Sequence, residues 1–276
     1  MPLADAHIHL FSGGYAGRLG ASPAGGDELD VYERLRASYQ IESALVVGYE
    51  GETRYAGNSR EILSLALERQ WMFPLPFLSV AAPPAVADLR DWREQGAAGY
   101  SIYLKTESDG IAFANWPANT LAELSAQRAI LSFNATPGAL ARAREVIVAI
   151  DGARVIFSHL GLPGRSGVAP TTMQARERLQ PLLQLAGHPN AAVKLSGLYA
   201  VSDPPYKFPN DAAQPFVDVL LDTFGPLRMM WGSDFSPVLD YLSFAQVADP
   251  QPLSACTPGE VQNVMGLNLL RMLNDP

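Results

Sequence analysis

Short runs of apolar residues recur along the whole chain, with polar, helix-spaced segments between them. The runs at 3–9, 43–49, 72–80, 97–104, 129–134, 154–159, 192–197 and 228–234 have the length of strands rather than of helices. That makes eight predicted strands. The intervening segments carry helix signals. Asn58, with Glu61 three residues on, has the form of a capping box ahead of Ile62, Leu63 and Leu67. Thr257-Pro258-Gly259-Glu260 supplies a cap, a proline at the first helical position and a glutamate at the third. Gly96 and Gly225 stand where helices should stop. Pro181 is expected to split or kink the helix over 172–186. Regular alternation of strand and helix predicts an α/β protein, a (β/α)8 barrel forming one domain over 1–276. An open doubly wound sheet is the competing arrangement. It asks for a glycine-rich loop running straight into a helix, and Gly13-Gly14-Tyr15-Ala16-Gly17 has no helix immediately after it.

Side chains alternate along a strand, so residues two apart share a face. By this parity Asp5, His7 and His9 go together, as do Val155, Phe157 and His159, and Met230, Gly232 and Asp234. Each series ends in a polar group at a strand's C-terminal end, where barrel enzymes place their chemistry. Lys194 and Ser196 alternate with Val193 and Leu195, so one of these pairs faces the barrel interior; Lys194 is either part of the site or a buried ion-pair partner. The remaining histidine, His188, lies in Gly187-His188-Pro189-Asn190 and reads as a turn residue on the far side. The glycine- and proline-rich stretches 12–26, 160–170, 203–210 and 235–258 each follow a strand and are expected to be loops on the catalytic face.

Charge and composition narrow the partners. A formal charge of −8 opposes nucleic acid or an anionic membrane as partner, since both need a basic face. No apolar run approaches the ~20 residues of a membrane span. One cysteine, Cys256, excludes an internal disulfide and fits a reducing compartment. With no signal-like apolar start, a cytoplasmic location is expected. Arg18, Arg54, Lys105 and Arg165, with aromatics such as Tyr55, Tyr103, Tyr199 and Tyr206, recur in the predicted catalytic-face loops. Cations around one mouth of an acidic protein suggest an anionic small-molecule substrate, and the aromatics suit a sugar or planar ring. A homo-oligomer is compatible with all of this.

Four motifs carry a resemblance: Asp-Ala-His-Ile-His-Leu-Phe from Asp5, Phe-Ser-His-Leu-Gly from Phe157, Val-Lys-Leu-Ser-Gly-Leu-Tyr from Val193 and Trp-Gly-Ser-Asp-Phe from Trp231. In this order and spacing the chain resembles the amidohydrolase superfamily, and more narrowly the amidohydrolase-2 group of sugar-lactone and 2-pyrone-4,6-dicarboxylate lactonases and zinc-dependent decarboxylases. The resemblance covers essentially the whole chain, including Gly266-Leu267-Asn268-Leu269-Leu270 as its closing helix. It implies a barrel with His7, His9, His159 and Asp234 in the site. A single divalent ion, zinc foremost, would be held by His7, His9 and Asp234, with His159 as a fourth ligand or a proton-transfer group. Metal-using members usually carry a histidine at the end of the fifth strand; here Asn134 stands there, and a neutral amide is a poor zinc ligand. That departure favours the lactonase branch, in which some members need no metal. The implied activity is opening of a lactone of a sugar acid or an aromatic-derived acid. Asp234 would serve as general base and the histidines would polarise the carbonyl, with Arg18, Arg54, Lys105, Asn134, Arg165 and Tyr199 holding substrate. A metal-dependent decarboxylase or hydratase is the alternative, and a barrel that only binds a small ligand is a third reading.

Overall fold

The structure, a computed structural model, describes residues 3–274. Its strands are β1 (Leu3–Ile8), β2 (Ile41–Val47), β3 (Met72–Leu75), β4 (Phe77–Leu78), β5 (Gly99–Leu104), β6 (Ile130–Ala135), β7 (Arg154–Phe157), β8 (Ala191–Leu195) and β9 (Met229–Trp231). β3 and β4 are two halves of one predicted strand, separated at Pro76, which has no N–H to give a ladder. Every strand pair is parallel, in the order β1-β2-β3 and β4-β5-β6-β7-β8-β9. Ala98 N donates to Pro74 O and Ser101 N to Pro76 O, both at 2.9 Å, which carries the pairing across the break. On the other side Asp234 N donates to His7 O at 2.8 Å and His9 N to Phe235 O at 2.5 Å, tying the last strand to the first. The fold is the (β/α)8, or TIM, barrel.

The helices between the strands are α1 (Glu28–Tyr39), α2 (Asn58–Ala66), α3 (Val86–Glu94), α4 (Glu107–Ala114), α5 (Ala118–Ala126), α6 (Pro137–Ala149), α7 (Thr172–Leu183) and α8 (Gln214–Phe224). Three short ones follow β9: α9 (Phe244–Val247), α10 (Pro258–Gln262) and α11 (Asn268–Asn274). Thr257 caps α10 as expected: Thr257 N donates to Glu260 Oε2 at 2.7 Å and Glu260 N to Thr257 Oγ1 at 3.4 Å. The box expected at Asn58 does not form. Gly57 is the cap of α2, and Asn58 turns inward instead, donating to Leu10 O and accepting from Tyr49 N. Pro181 does not split α7, which runs unbroken from Thr172 to Leu183; near the C-terminal end the lost N–H costs only one internal bond. No described helix is long and apolar enough to cross a membrane.

Two apolar layers account for the strand pattern. Ala4, Ala6, Leu45, Val47, Ile130, Ile156, Ala192 and Met230 fill the barrel's lower interior, closed below by Leu269 of α11. Their neighbours Ala44, Val46, Leu131, Phe133, Phe157, Val193, Leu195 and Trp231 face the surrounding helices. Above the apolar floor the inward positions turn polar. Parity carries this order up most strands, and where it fails the departures build the site.

Candidate active site

β1 contains a bulge. Asp5 pairs with Ala44 and Ile8 with Val46, so three steps on β1 face two on β2. Ala4 and Ala6 point inward below the bulge, and His7 and His9 point inward above it. Asp5 therefore does not share the face of His7 and His9. It points outward, accepting from Tyr32 Oη of α1 at 3.0 Å. Its other oxygen accepts from His7 N (3.1 Å) and Ser233 N (2.8 Å), clamping the two strands that carry His7 and Asp234. The parity expected for the sixth predicted strand fails as well. Val155 and Phe157 face the helices, and His159 reaches the interior because the chain turns sharply there, with φ of 52°. Asp234, also at positive φ (60°), follows the expected inward series of β9. Gly232 lets β9 approach β1: a Cβ there would lie 2.9 Å from His7 Cβ.

These side chains converge. His7 Nε2 and His9 Nε2 are 3.1 Å apart, and Asp234 Oδ1 lies 3.5 Å from the first and 3.8 Å from the second. His159 Nδ1 lies 3.8 Å from Asp234 Oδ2, and Tyr199 Oη donates to that oxygen at 2.7 Å. The network assigns the protons. His9 Nδ1 meets the Val47 carbonyl at 2.7 Å, so it carries the hydrogen and Nε2 is an acceptor. His7 then donates from Nε2, and its Nδ1 accepts from Lys194 Nζ at 3.1 Å. Ser196 Oγ accepts from the His159 amide at 3.2 Å and gives its own hydrogen to His159 Nδ1 at 3.1 Å, which leaves His159 Nε2–H as a donor. Lys194 is wholly buried and also donates to Ser132 Oγ at 2.7 Å. It is a member of the site's hydrogen-bond network, not one half of a structural ion pair.

Burial sets the charges. It raises the Asp234 carboxyl to about 6, against the opposing pull of His9, Tyr199 and Lys194. It lowers His9 to about 4 and His159 to about 3, and holds His7 well below the ordinary imidazole range. Lys194 falls to about 7 for the same reason. At neutral pH the site therefore holds an ionised carboxylate among neutral imidazoles. That donor set suits a divalent ion: one ligand atom each from His7, His9 and Asp234 lies within 4.8 Å of the others, all buried, and the donors are imidazole and carboxylate.

Above this cluster opens a cavity of about 210 Å³. His9, Asn134, His159 and Asp234 reach it from below; Phe11, Tyr15, Tyr49, Tyr55, Tyr103 and Tyr199 form its aromatic walls, with Glu52 and Pro237 completing the lining. Phe11 stacks on Tyr55 at 4.2 Å, and Tyr49 meets Tyr103 at 4.8 Å. Of the residues expected to hold substrate, Asn134 and Tyr199 line the cavity, whereas Arg18, Arg54, Lys105 and Arg165 do not. Arg18 lies over the Tyr241 ring, Arg54 pairs with Glu52 at 3.3 Å, and Arg165 donates to Ala200 O; all three are exposed. Lys105 reaches the wall from behind, donating to Tyr49 Oη at 2.7 Å. Sequence reading passed over Phe11, Tyr15, Tyr49, Glu52 and Pro237. Their nearness to strand ends was the available signal: Phe11 follows His9 by two residues, and Tyr49 follows the end of β2 by two. His188 sits in the turn ahead of β8, as expected. A larger cavity, of about 910 Å³, lies at the other ends of the strands and contains none of these histidines.

Searches of known proteins agree with this architecture. The family model described as amidohydrolase matches residues 4–274. No curated protein sequence matches. Among solved structures, an amidohydrolase from Burkholderia multivorans with bound zinc aligns over all of both chains, at 20% identity and a TM-score of 0.82. A probable 2-pyrone-4,6-dicarboxylic acid hydrolase from Acinetobacter baumannii, with citric acid bound, aligns over 99% of each chain at 14% identity and a TM-score of 0.75. A 2,6-dihydroxybenzoate decarboxylase aligns over 98% of each chain at 11% identity and a TM-score of 0.66. With the family model spanning nearly every residue of the barrel that holds His7, His9, His159 and Asp234, this chain belongs to the amidohydrolase family.

Proposed function

We propose that this protein is a hydrolase that opens a lactone, and that its substrate is an uncharged, hydroxyl-bearing ring. The observation that carries the reading is a buried carboxylate, Asp234, beside three neutral histidines at the base of an aromatic cavity whose lining includes no lysine or arginine. A ring stacks on tyrosine and phenylalanine faces, while phenol hydroxyls and the Asn134 amide meet its polar groups. A dicarboxylate would enter a cavity that already contains Asp234 and Glu52; Arg54 pairs with Glu52 from outside, and no cation lines the cavity to meet the substrate's own carboxylates.

In this mechanism Asp234 takes a proton from water, the water oxygen bonds to the lactone carbonyl carbon, and the ring C–O bond then breaks as the proton passes to the leaving oxygen. Tyr199 holds Oδ2, which leaves Oδ1 as the proton acceptor. His159 Nε2–H is the imidazole donor available to a developing oxyanion, since His159 lines the cavity while buried His7 gives its Nε2 hydrogen to His9. A divalent ion held by His7, His9 and Asp234 would polarise the carbonyl and acidify water. Zinc titration of the metal-stripped protein should show one ion per chain, and that binding should be lost in His9→Ala. Turnover is expected to survive chelation, because an imidazole donor already faces the base. Complete loss on chelation, restored by zinc, would assign the chemistry to a metal-dependent branch instead.

A lactone panel followed by acid release tests the reading. Neutral sugar lactones should give higher kcat/KM than 2-pyrone-4,6-dicarboxylate; the reverse order sinks the proposed substrate class, and no turnover of any lactone sinks the hydrolase assignment. In the same assay Arg18→Ala and Arg165→Ala should leave KM within about twofold, since neither lines the cavity. Tyr103→Leu should raise KM by about two- to tenfold through lost ring contact.

A further inference from the structure

One carboxylate outside the cavity is built like a clasp. Glu28, in the first turn of α1, is 2% exposed and has no cation on it among the described contacts. It is satisfied entirely by donors from two other segments. Phe11 N donates to Oε2 at 3.0 Å; Tyr15 N (2.7 Å), Ser22 Oγ (2.8 Å) and Ser236 Oγ (2.5 Å) donate to Oε1. Burying a carboxylate without such donors would be costly, and four of them make a strong, directional anchor.

The donors connect parts of the site. Phe11 and Tyr15 form one aromatic wall of the cavity, and Ser236 follows Asp234 by two residues. The loop between these wall residues is tight: at Gly14, with φ of 72°, an added Cβ would lie 2.8 Å from Ser22 Cβ. The same loop is held from its other side by Tyr55 Oη, which accepts from Ala16 N at 3.0 Å, while the Tyr55 ring stacks on Phe11. Glu28 is thus the point at which α1, the loop after β1 and the segment after β9 meet, and it touches no reacting atom.

We propose that Glu28 is a positioning residue for the substrate cavity: its carboxylate holds the Phe11–Tyr15 wall against the segment carrying Asp234 and thereby sets how tightly a ring is gripped. This rests on reading the cavity as the substrate site of a lactone hydrolase. Glu28→Gln retains an oxygen for the Oε1 donors but turns an NH2 toward the Phe11 N–H, opposing donor to donor. Hydrogen exchange on the intact protein should show faster exchange over 11–22 and 235–237, by about 100-fold, with β5 and β6 unchanged. With D-glucono-1,5-lactone as the probe, KM should rise by about tenfold while kcat stays within about threefold. Ser236→Ala, which removes one donor and leaves the carboxylate, should show the same KM-selective effect at about threefold. Faster loop exchange with unchanged KM in both variants would make Glu28 merely structural and overturn the proposal. So would exchange over 11–22 that does not respond to Glu28→Gln. Failure of the wild-type protein to open any lactone would count against the hydrolase reading alone, and the exchange experiment would still decide whether Glu28 holds the wall.

Discussion

Asp234→Asn is expected to lower kcat by about 10²–10⁴, the usual cost of losing a general base, with KM little changed. Asn preserves the shape and can still accept from Tyr199, so the loss reports proton transfer rather than collapse. The wild-type pH profile should point the same way. The Asp234 carboxyl is raised to about 6, so the basic form is scarce below that value, and kcat/KM should climb as pH rises through about 6. The variant should lose that limb. Stability has the opposite sign. A carboxyl that ionises less readily in the folded chain than in the unfolded one stabilises the fold while protonated, below the ordinary carboxylate range. That contribution is lost as pH rises through about 6. Asp234→Asn should accordingly be at least as stable as wild type at pH 8, read from thermal melts. Near-normal turnover in the variant would make Asp234 a structural residue and end the proposed mechanism.

Gly197→Ala should be nearly as damaging by a different route. Gly197 has φ of 62°, and an added Cβ would lie 2.4 Å from His159 Nδ1 and 2.6 Å from Cγ. The imidazole cannot yield cheaply, since its ring nitrogen and its own amide are both held by Ser196 Oγ. The substitution should cost about 1–2 kcal/mol of backbone strain and displace His159 enough to lower kcat/KM by about 10²-fold. Gly225→Ala is the control. Its backbone, at φ of 76° and ψ of 160°, is strained at least as much by a side chain, but an added Cβ has nothing within 4 Å, so the variant should lose stability and keep activity. Equal activity in the two alanine variants would show that His159 is not part of the chemistry.

The limits of sequence reading are visible residue by residue. Alternation set Lys194 and Ser196 on one face without deciding which way it points, and the regular register of β8 turns Lys194 inward; for Asp234 the inward series of Met230 and Gly232 held although β9 itself ends at Trp231. The same rule grouped Asp5 with His7, and one bulged residue reverses the face of everything before it. His159 was found for a reason that proved incorrect: β7 ends at Phe157, and a left-handed turn, not strand parity, delivers the imidazole. Asn58 looked like a helix cap by its spacing to Glu61, but buried backbone groups at Leu10 and Tyr49 claimed its amide first.

What the amino-acid order determined by itself was whatever depends on short-range periodicity and composition: eight strand-length apolar runs, their alternation with helices, and the four motifs that mark His7, His9, His159 and Asp234. What only the tertiary structure decided was which side chains share a cavity, because that depends on contacts between residues far apart in the chain. Arg18, Arg54 and Arg165 lie on the loops expected to surround the mouth, yet they point at Tyr241, Glu52 and Ala200. Phe11, Tyr15 and Tyr49 drew no notice as isolated aromatics, and they form the walls. A loop's location follows from the strand it leaves, whereas the direction of its side chains is set by partners such as Glu28, which lies 13 residues beyond Tyr15 and 208 before Ser236.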